Sequence, residues 1–253
     1  MIALITGATS GIGKAAAMQF VRNGYDVIIT GRRKERLDQV EAELTKVTAV
    51  RVLKLCFDVS KLESVQKNIE SLDETWKKID VLVNNAGLAV GFGPLQEGLL
   101  DDWERMIDTN IKGLLYVSRC VAPLMIKNAN GHIINIGSIA GKEVYPGGNV
   151  YCSTKHAVDA LSKAMRLDLL SYGIRVTVVH PGMVETEFSI VRYKGDTGRA
   201  KKVYQDLQPL TGNDVAEAIL WAAQRPPNVN INEIILSPLA QGNATTVHRK
   251  TSA

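Results

Sequence analysis

The tightest constraint on this chain lies in its first thirteen residues. An apolar run, Met1 to Ile5, breaks directly into Thr6-Gly7-Ala8-Thr9-Ser10-Gly11-Ile12-Gly13, and Lys14 to Arg22 follows with Ala15, Ala16 and Phe20 placed for helix packing. Ala3 to Thr6 reads as a fully buried strand that passes through a glycine turn straight into a helix. A strand that feeds a helix belongs in a parallel sheet, because parallel neighbours need a crossover connection that a hairpin cannot supply. The turn also has a chemical consequence. Free backbone N–H groups and the positive end of the helix dipole converge there, and glycine lets an anion approach without a Cβ in the way. Gly7, Thr9, Ser10, Gly11 and Ile12 are therefore candidate contacts to a phosphate group. Their spacing, GxxxGxG, differs from the GxGxxG of the common dinucleotide fingerprint.

The alternation continues along the chain. Apolar strands are predicted at Asp26 to Thr30, Arg51 to Phe57, Asp80 to Val83, His132 to Ile136, Ile174 to Val179 and Asn232 to Leu236. Between them, Lys61 to Thr75, Asp101 to Lys127, Val150 to Tyr172 and Gly212 to Gln224 carry apolar residues at helical spacing. No linker, internal repeat or low-complexity stretch interrupts this order, so residues 1–253 are expected to form one α/β domain, a doubly wound parallel sheet with helices on both faces. Ligands on such sheets collect at the carboxyl ends of the strands. Gly7 to Gly13, Arg32, Asp58, Asn84, Ser138 and Pro181 all fall at a predicted strand end and should line one edge of the molecule.

Composition closes off other classes. The 253 residues are 45% hydrophobic, enough for a large core, and a formal net charge of +4 is too mild for a polyanion binder, so no nucleic-acid partner is expected. Cys56, Cys120 and Cys152 form no CxxC or ligand-spaced cluster, and His132, His156, His180 and His248 are equally scattered, so no metal is assigned. No signal peptide precedes the first strand, and no apolar run approaches the roughly 18 residues of a membrane span. These features predict a soluble, cytoplasmic protein with no membrane partner.

After the second strand comes Gly31-Arg32-Arg33-Lys34, with no carboxylate until Glu35. In dinucleotide sites an acidic residue at this point takes the ribose hydroxyl, whereas arginine accommodates a 2′-phosphate. Arg32 and Arg33 therefore favour NADP(H) over NAD(H), the forked guanidinium suiting a phosphate dianion. Lys34 and Arg36 read as the solvated first turn of the next helix.

Downstream, Tyr151-Cys152-Ser153-Thr154-Lys155 places a phenol and an ammonium four residues apart, thirteen residues after Ser138. Residues so spaced share a helix face. A free tyrosine titrates near 10, and a nearby ammonium, helped by the positive nicotinamide of the oxidised cofactor, is expected to lower that value, making Tyr151 a general acid in ketone reduction and a base in alcohol oxidation. Lys155 would also hold the nicotinamide ribose, and the Ser138 hydroxyl would hold and polarise the substrate oxygen. Cys152 is read as a small packing residue.

Taken together, TGATSGIG at Thr6 to Gly13, DV at Asp58 and Val59, NNAG at Asn84 to Gly87, Asn110 in DTNIKG, Ser138, YCSTK at Tyr151 to Lys155, and PG at Pro181 and Gly182 resemble the short-chain dehydrogenase/reductase family over essentially the whole length. The resemblance implies a single Rossmann-like domain with a seven-stranded parallel sheet. It implies that Asp58 and Val59 flank the adenine, that Asn85 and Ile12 lie along the cofactor, and that Pro181, Gly182, Val184 and Thr186 wrap its nicotinamide end. It adds Asn110 to Ser138, Tyr151 and Lys155 in the catalytic set, as the anchor of a water that relays protons to Lys155. A homo-oligomer, tetramer or else dimer, is implied as well, with the helices of Asn110 and Tyr151 packing across a two-fold axis.

Selectivity should reside in loops. Gly182 to Asp196 is long and rich in charge and aromatics, and could close over the substrate as a lid. With Tyr145-Pro146-Gly147-Gly148-Asn149 and the late segment Val229 to Ile234, it resembles the family branch that oxidises serine and other 3-hydroxy acids with NADP and reduces malonic semialdehyde. Allo-threonine, 3-hydroxyisobutyrate and 3-hydroxypropionate are substrates of the same type. A small carboxylate would want a cation, supplied by Arg192 or Lys194. Two alternatives stay open. One is a 3-oxoacyl-[acyl carrier protein] or general carbonyl reductase, although Asn228 to Pro238 lacks the TGQ and VDGG pattern usual there. The other is a catalytically silent NADP-binding regulator, which would have no need of a tuned phenol. The tail after Leu239, including His248-Arg249-Lys250, shows no regular pattern and is expected either to reach a neighbouring subunit or to fray.

Overall fold

The computed structural model describes residues 1–249. Seven strands form one parallel sheet in the order β3-β2-β1-β4-β5-β6-β7. They are β1 (Ile2–Ile5), β2 (Asp26–Gly31), β3 (Val52–Cys56), β4 (Val81–Asn84), β5 (His132–Ile136), β6 (Arg175–Pro181) and β7 (Glu233–Leu236). The connecting helices are α1 (Gly11–Arg22), α2 (Lys34–Leu44), α3 (Leu62–Glu70), α4 (Leu100–Ile107), α5 (Leu114–Lys127), α6 (Asn149–Asp168), α7 (Phe188–Arg192), α8 (Thr197–Lys202) and α9 (Gly212–Ala223).

The central strands are apolar on both faces because both faces are covered. Ala3, Ile5, Val27, Ile29, Val83, Ile134 and Val179 pack against Ala16, Phe20, Leu37, Val215 and Ile219 from α1, α2 and α9. The alternate residues Leu4, Ile28, Leu82, Ile133 and Val176 pack against Val65, Val117, Val121 and Met125 from α3 and α5. The order turns around between β1 and β4, so their carboxyl ends splay around a crevice.

Boundaries differ from the sequence reading where one turn of helix is replaced by another geometry. The stretch predicted as one helix from Asp101 to Lys127 is α4 and α5 joined by a π-helical turn, Asp108–Gly113. A π-turn inserts an extra residue into the helical ladder and is common at functional sites; apolar periodicity does not reveal it. The helix from Asn149 likewise tightens into a 3₁₀ turn at Leu170–Tyr172 and stops at Gly173, whose φ of 69° is left-handed. Among the described residues, no helix is long and apolar enough to cross a membrane.

Candidate active site

A cleft of about 890 Å³ opens along the carboxyl ends of the strands. Its lining includes Gly7, Thr9, Ser10, Gly11, Ile12, Arg32, Arg33, Asp58, Val59, Asn85, Ser138, Tyr151, Lys155, Pro181, Gly182, Val184, Thr186 and Arg192. The residues assigned from sequence to the cofactor, together with Ser138, Tyr151 and Arg192, are therefore brought to one place.

The glycine turn is shaped as a cradle. Gly7 has φ +66°, and a Cβ on it would lie 2.9 Å from the Ala86 Cα; on Gly13 it would meet the Gly7 carbonyl oxygen at 2.5 Å. Only glycine permits this approach of β1 to α1. Ser10 caps α1 without a side-chain bond, so the first N–H groups of the helix are open to an anion. The Asn85 amide braces the cradle from the side, donating to the carbonyls of Thr6 and Gly7 at 2.8 and 3.2 Å. These contacts fit a bound pyrophosphate.

At the adenosine end, Arg33 donates to Thr9 Oγ1 at 2.8 Å and Ser10 Oγ at 3.2 Å, which holds its guanidinium beside the cradle. It also pairs with Glu187, 3.1 Å away, from the loop that crosses the cleft. Arg36 pairs with the same carboxylate. The reading of Arg36 as part of a merely solvated turn is corrected here: fold-back of the 182–196 loop supplies a partner that sequence neighbours do not show. Arg32 lies 3.5 Å from Asp58. Burial pushes the Asp58 carboxyl up, but hydrogen bonds from Ser60 and the Arg32 charge outweigh it and leave the group below its ordinary value.

The chemistry lies where β5, α6 and β6 meet. Ser138 ends the strand segment after β5, and Tyr151 and Lys155 lie one turn apart on α6, both more than nine-tenths buried. Ser138 Oγ accepts from Ala140 N at 3.1 Å and lines the cleft with the Tyr151 phenol. Lys155 Nζ donates to the Ile136 carbonyl at 2.8 Å. Burial pushes the Tyr151 phenol above its ordinary value, with the Ser138 side chain and the Arg192 charge pulling it back. The expected lowering by Lys155 is not what the protein's own groups produce. The lysine is itself desolvated, its pKa brought down to about 8, and its ammonium is directed to a backbone carbonyl.

Asn110 stands apart from the other predicted residues because it does not line the cleft. Buried in the π-turn, it accepts from Leu88 N at 2.8 Å and donates to Leu88 O at 2.8 Å and Thr154 Oγ1 at 3.0 Å. Its side chain straps the loop after β4 to α6.

At the open end, Arg192 donates to the Tyr145 hydroxyl at 3.0 Å and sits 5.0, 5.4 and 5.6 Å from the ring centres of Phe92, Tyr145 and Tyr151. Its Nε is buried without a hydrogen-bond partner, and it forms no ion pair among the described residues. Lys194 instead pairs with Asp102 at 2.7 Å, in a side cavity next to the main cleft. Of the two cations proposed from sequence, Arg192 faces the site and Lys194 does not.

Sequence reasoning missed Glu187, Tyr204 and Gln241. Tyr204 donates to the Val184 carbonyl at 2.8 Å and is hydrogen-bonded to Ser189 at 2.7 Å, pinning the first half of the loop. Gln241 accepts from Met183 N at 2.8 Å, and Arg249 donates to the Val203 carbonyl at 3.0 Å. The tail through Arg249 thus packs on its own chain's cleft, with Ala244, Thr245 and Val247 in the lining. The described part of the tail is thus packed rather than frayed; Lys250 lies outside the described residues. No motif marks these residues, since each acts through a partner distant in sequence.

A glycine cradle at a parallel-sheet switch point, an arginine at the adenosine end and a buried Ser-Tyr-Lys group define a nicotinamide-dependent oxidoreductase. The chain matches the short chain dehydrogenase family over residues 1–196, and it belongs to that family. It is 48% identical over 251 residues to the NADP-dependent 3-hydroxy acid dehydrogenase YdfG of Salmonella typhi, covering 98% of this chain and 100% of the relative. It is 46% identical to sulfoacetaldehyde reductase 2 of Chromohalobacter salexigens, covering 95% of each. Among solved structures, the closed form of a serine dehydrogenase complexed with NADP+ superposes with a TM-score of 0.93 at 46% identity, covering 99% of this chain and 100% of that one.

Proposed function

We propose that this protein is an NADP(H)-dependent oxidoreductase that interconverts a small 3-hydroxy acid and its 3-oxo acid or semialdehyde. The observation that carries the substrate class is Arg192: a cation with no ion-pair partner among the described residues, ringed by aromatics, against the Tyr151 ring. A desolvated guanidinium without a counter-ion favours an anionic ligand, and its fork suits a carboxylate. Of the two relatives named above, one is a 3-hydroxy acid dehydrogenase and the other reduces sulfoacetaldehyde, a small anion with a sulfonate in place of a carboxylate.

Gly7 to Ile12 hold the pyrophosphate, Arg33 the 2′-phosphate, and Pro181 to Thr186 the nicotinamide end. NADP+ supplies the hydride acceptor when bound. Tyr151 takes the hydroxyl proton of the substrate in oxidation and returns one to the carbonyl oxygen in reduction. Ser138 orients that oxygen toward the phenol, Lys155 holds positive charge below it, and Arg192 fixes the carboxylate so that one hydroxyl lies within reach of Tyr151. Asn110 positions the loop and the helix that carry these groups. A homo-oligomer fits the exposed Leu100, Ile107, Leu115, Leu167 and Leu170 on α4, α5, α6 and the turn after it, and light scattering measures its order.

The test follows NADPH absorbance with serine, allo-threonine, 3-hydroxyisobutyrate, 3-hydroxypropionate, malonic semialdehyde, sulfoacetaldehyde and an acetoacetyl thioester, each with NADP(H) and NAD(H). Turnover of carboxylates with preference for NADP(H) is expected. Activity confined to the thioester would move the protein to the acyl reductases, and binding of NADPH without any turnover would favour a regulator.

A further inference from the structure

His180 is the last residue before Pro181 at the end of β6, and its side chain is fully buried. Its Nδ1 lies 2.9 Å from the Ser138 carbonyl oxygen and 3.3 Å from the Ser138 nitrogen. A Cβ on Gly137 would meet the ring at 2.5 Å from Nδ1 and 2.8 Å from Cε1, so the imidazole lies directly against the Gly137–Ser138 backbone. On its far side Nε2 faces Asp159 Oδ1 at 3.3 Å. Asp159 stands four residues beyond Lys155 and eight beyond Tyr151 on α6, so the three share one helix face.

That carboxylate is itself held. Lys142 and Lys163 donate to it at 3.0 and 2.7 Å, and Lys142 also donates to Glu233 of β7 at 2.8 Å. Ligand atoms of Asp159, His180 and Glu233 approach within 4.8 Å of one another, but the Lys142 ammonium already sits on both carboxylates. The cluster is a charge-balanced brace rather than a cation site. Beside it, the 2.9 Å contact to the Ser138 carbonyl is the shorter of the two Nδ1 contacts and is met by a proton on Nδ1; the neutral ring then has a bare Nε2, which makes no hydrogen bond to Asp159. The hydrogen bond from His180 then fixes the peptide from which the Ser138 hydroxyl projects, while Ala140 N fixes the hydroxyl from the other side.

We propose that His180 is a positioning residue for the reaction: its bond to the Ser138 carbonyl sets the Ser138 hydroxyl in register with the Tyr151 phenol. The inference rests on the reading of Ser138 as the group that orients the substrate oxygen. Misplacement of such a group by as little as an ångström costs about 100-fold in rate.

The experiment compares His180→Asn, His180→Gln, Ser138→Ala and the Ser138→Ala/His180→Gln double variant by kcat and KM for the hydroxy acid, NADPH binding by fluorescence, and Tm. The Asn amide reaches the Nδ1 position and keeps a donor to Ser138; the Gln amide reaches the Nε2 position and leaves the Ser138 carbonyl without that donor. His180→Gln is expected to lower kcat about 10- to 100-fold with NADPH binding nearly unchanged, and His180→Asn to recover most of that loss. In the Ser138→Ala background, His180→Gln is expected to cost nothing further. Equal losses in the Asn and Gln variants, or losses that multiply in the double variant, would overturn the proposal and leave a packing role. If His180→Gln does not fold, the same cycle is run with His180→Asn, whose residual loss must likewise vanish without Ser138. Full activity of Ser138→Ala would instead overturn the Ser138 reading on which the inference stands.

Discussion

Arg192 and Lys155 show how one side chain's surroundings decide its use. In the sequence Arg192 is only one of two basic residues in a long loop; its place among three aromatic rings distinguishes it from Lys194, whose charge Asp102 satisfies. Arg192→Ala is expected to raise KM for the hydroxy acid about 10- to 100-fold, matching the ~1.5–3 kcal/mol of a hydrogen bond to a charged group. KM for the neutral amide of the same acid should move little, and steady-state kinetics on the pair checks it. Lys155 has a folded pKa near 8, below that of an exposed lysine, because burial disfavours its charge. Between about 8 and the ordinary lysine value near 10.4, the unfolded chain holds a proton that the folded protein has released, so this group adds stability as pH rises through that window and loses it as pH falls toward 8. Subtracting the Tm of Lys155→Met from that of the wild type should give a difference that grows from pH 8 to pH 10. A flat difference would show that the lysine stays charged in the folded state.

At the scale of elements, the 182–196 loop decides how the cleft is closed. Asp196 caps α8 through Arg199 N, Tyr204 ties the loop to Val184, and Glu187 reaches across to Arg33 and Arg36. Because Arg33 is also the expected partner of the 2′-phosphate, the Glu187 carboxylate and the cofactor compete for one guanidinium. Glu187→Gln is expected to tighten NADPH binding about two- to fivefold at low ionic strength, with the gain shrinking in high salt, as exposed ion pairs are weak and screened. Fluorescence titration at two salt concentrations measures this. Apolar spacing locates α1, α6 and α9 closely; the π-turn at Asp108–Gly113 is invisible to it because Asn110 holds it through Leu88 and Thr154, neither of which is marked by spacing.

For the whole molecule, the sheet holds the site while its core sits away from the chemistry. Phe20 on α1 is fully buried, packed edge-on to Tyr25 at 5.0 Å, on the face shared with α9. Phe20→Ala is expected to cost about 3–5 kcal/mol of stability by leaving a cavity, while kcat per folded molecule at 25 °C stays near the wild-type value. Denaturant unfolding and activity on the same preparation separate the two. A fall in kcat matching the loss of stability would mean that the packing of α1 also sets the glycine turn.

Much of this protein was determined locally. Glycines at Gly7, Gly11 and Gly13, the run of strands and helices, and the pairing of Tyr151 with Lys155 one turn apart follow from backbone sterics and helical periodicity, which act over a few residues and so can be read in order. Tertiary structure alone decided which cation faces the substrate, which carboxylate shares Arg33, that Asn110 straps rather than lines the cleft, that the tail covers its own site, and that His180 stands behind Ser138. Each of those depends on burial and on partners from 22 to 154 residues away. Desolvation and hydrogen-bond geometry are properties of the closed fold, and no stretch of sequence carries them by itself.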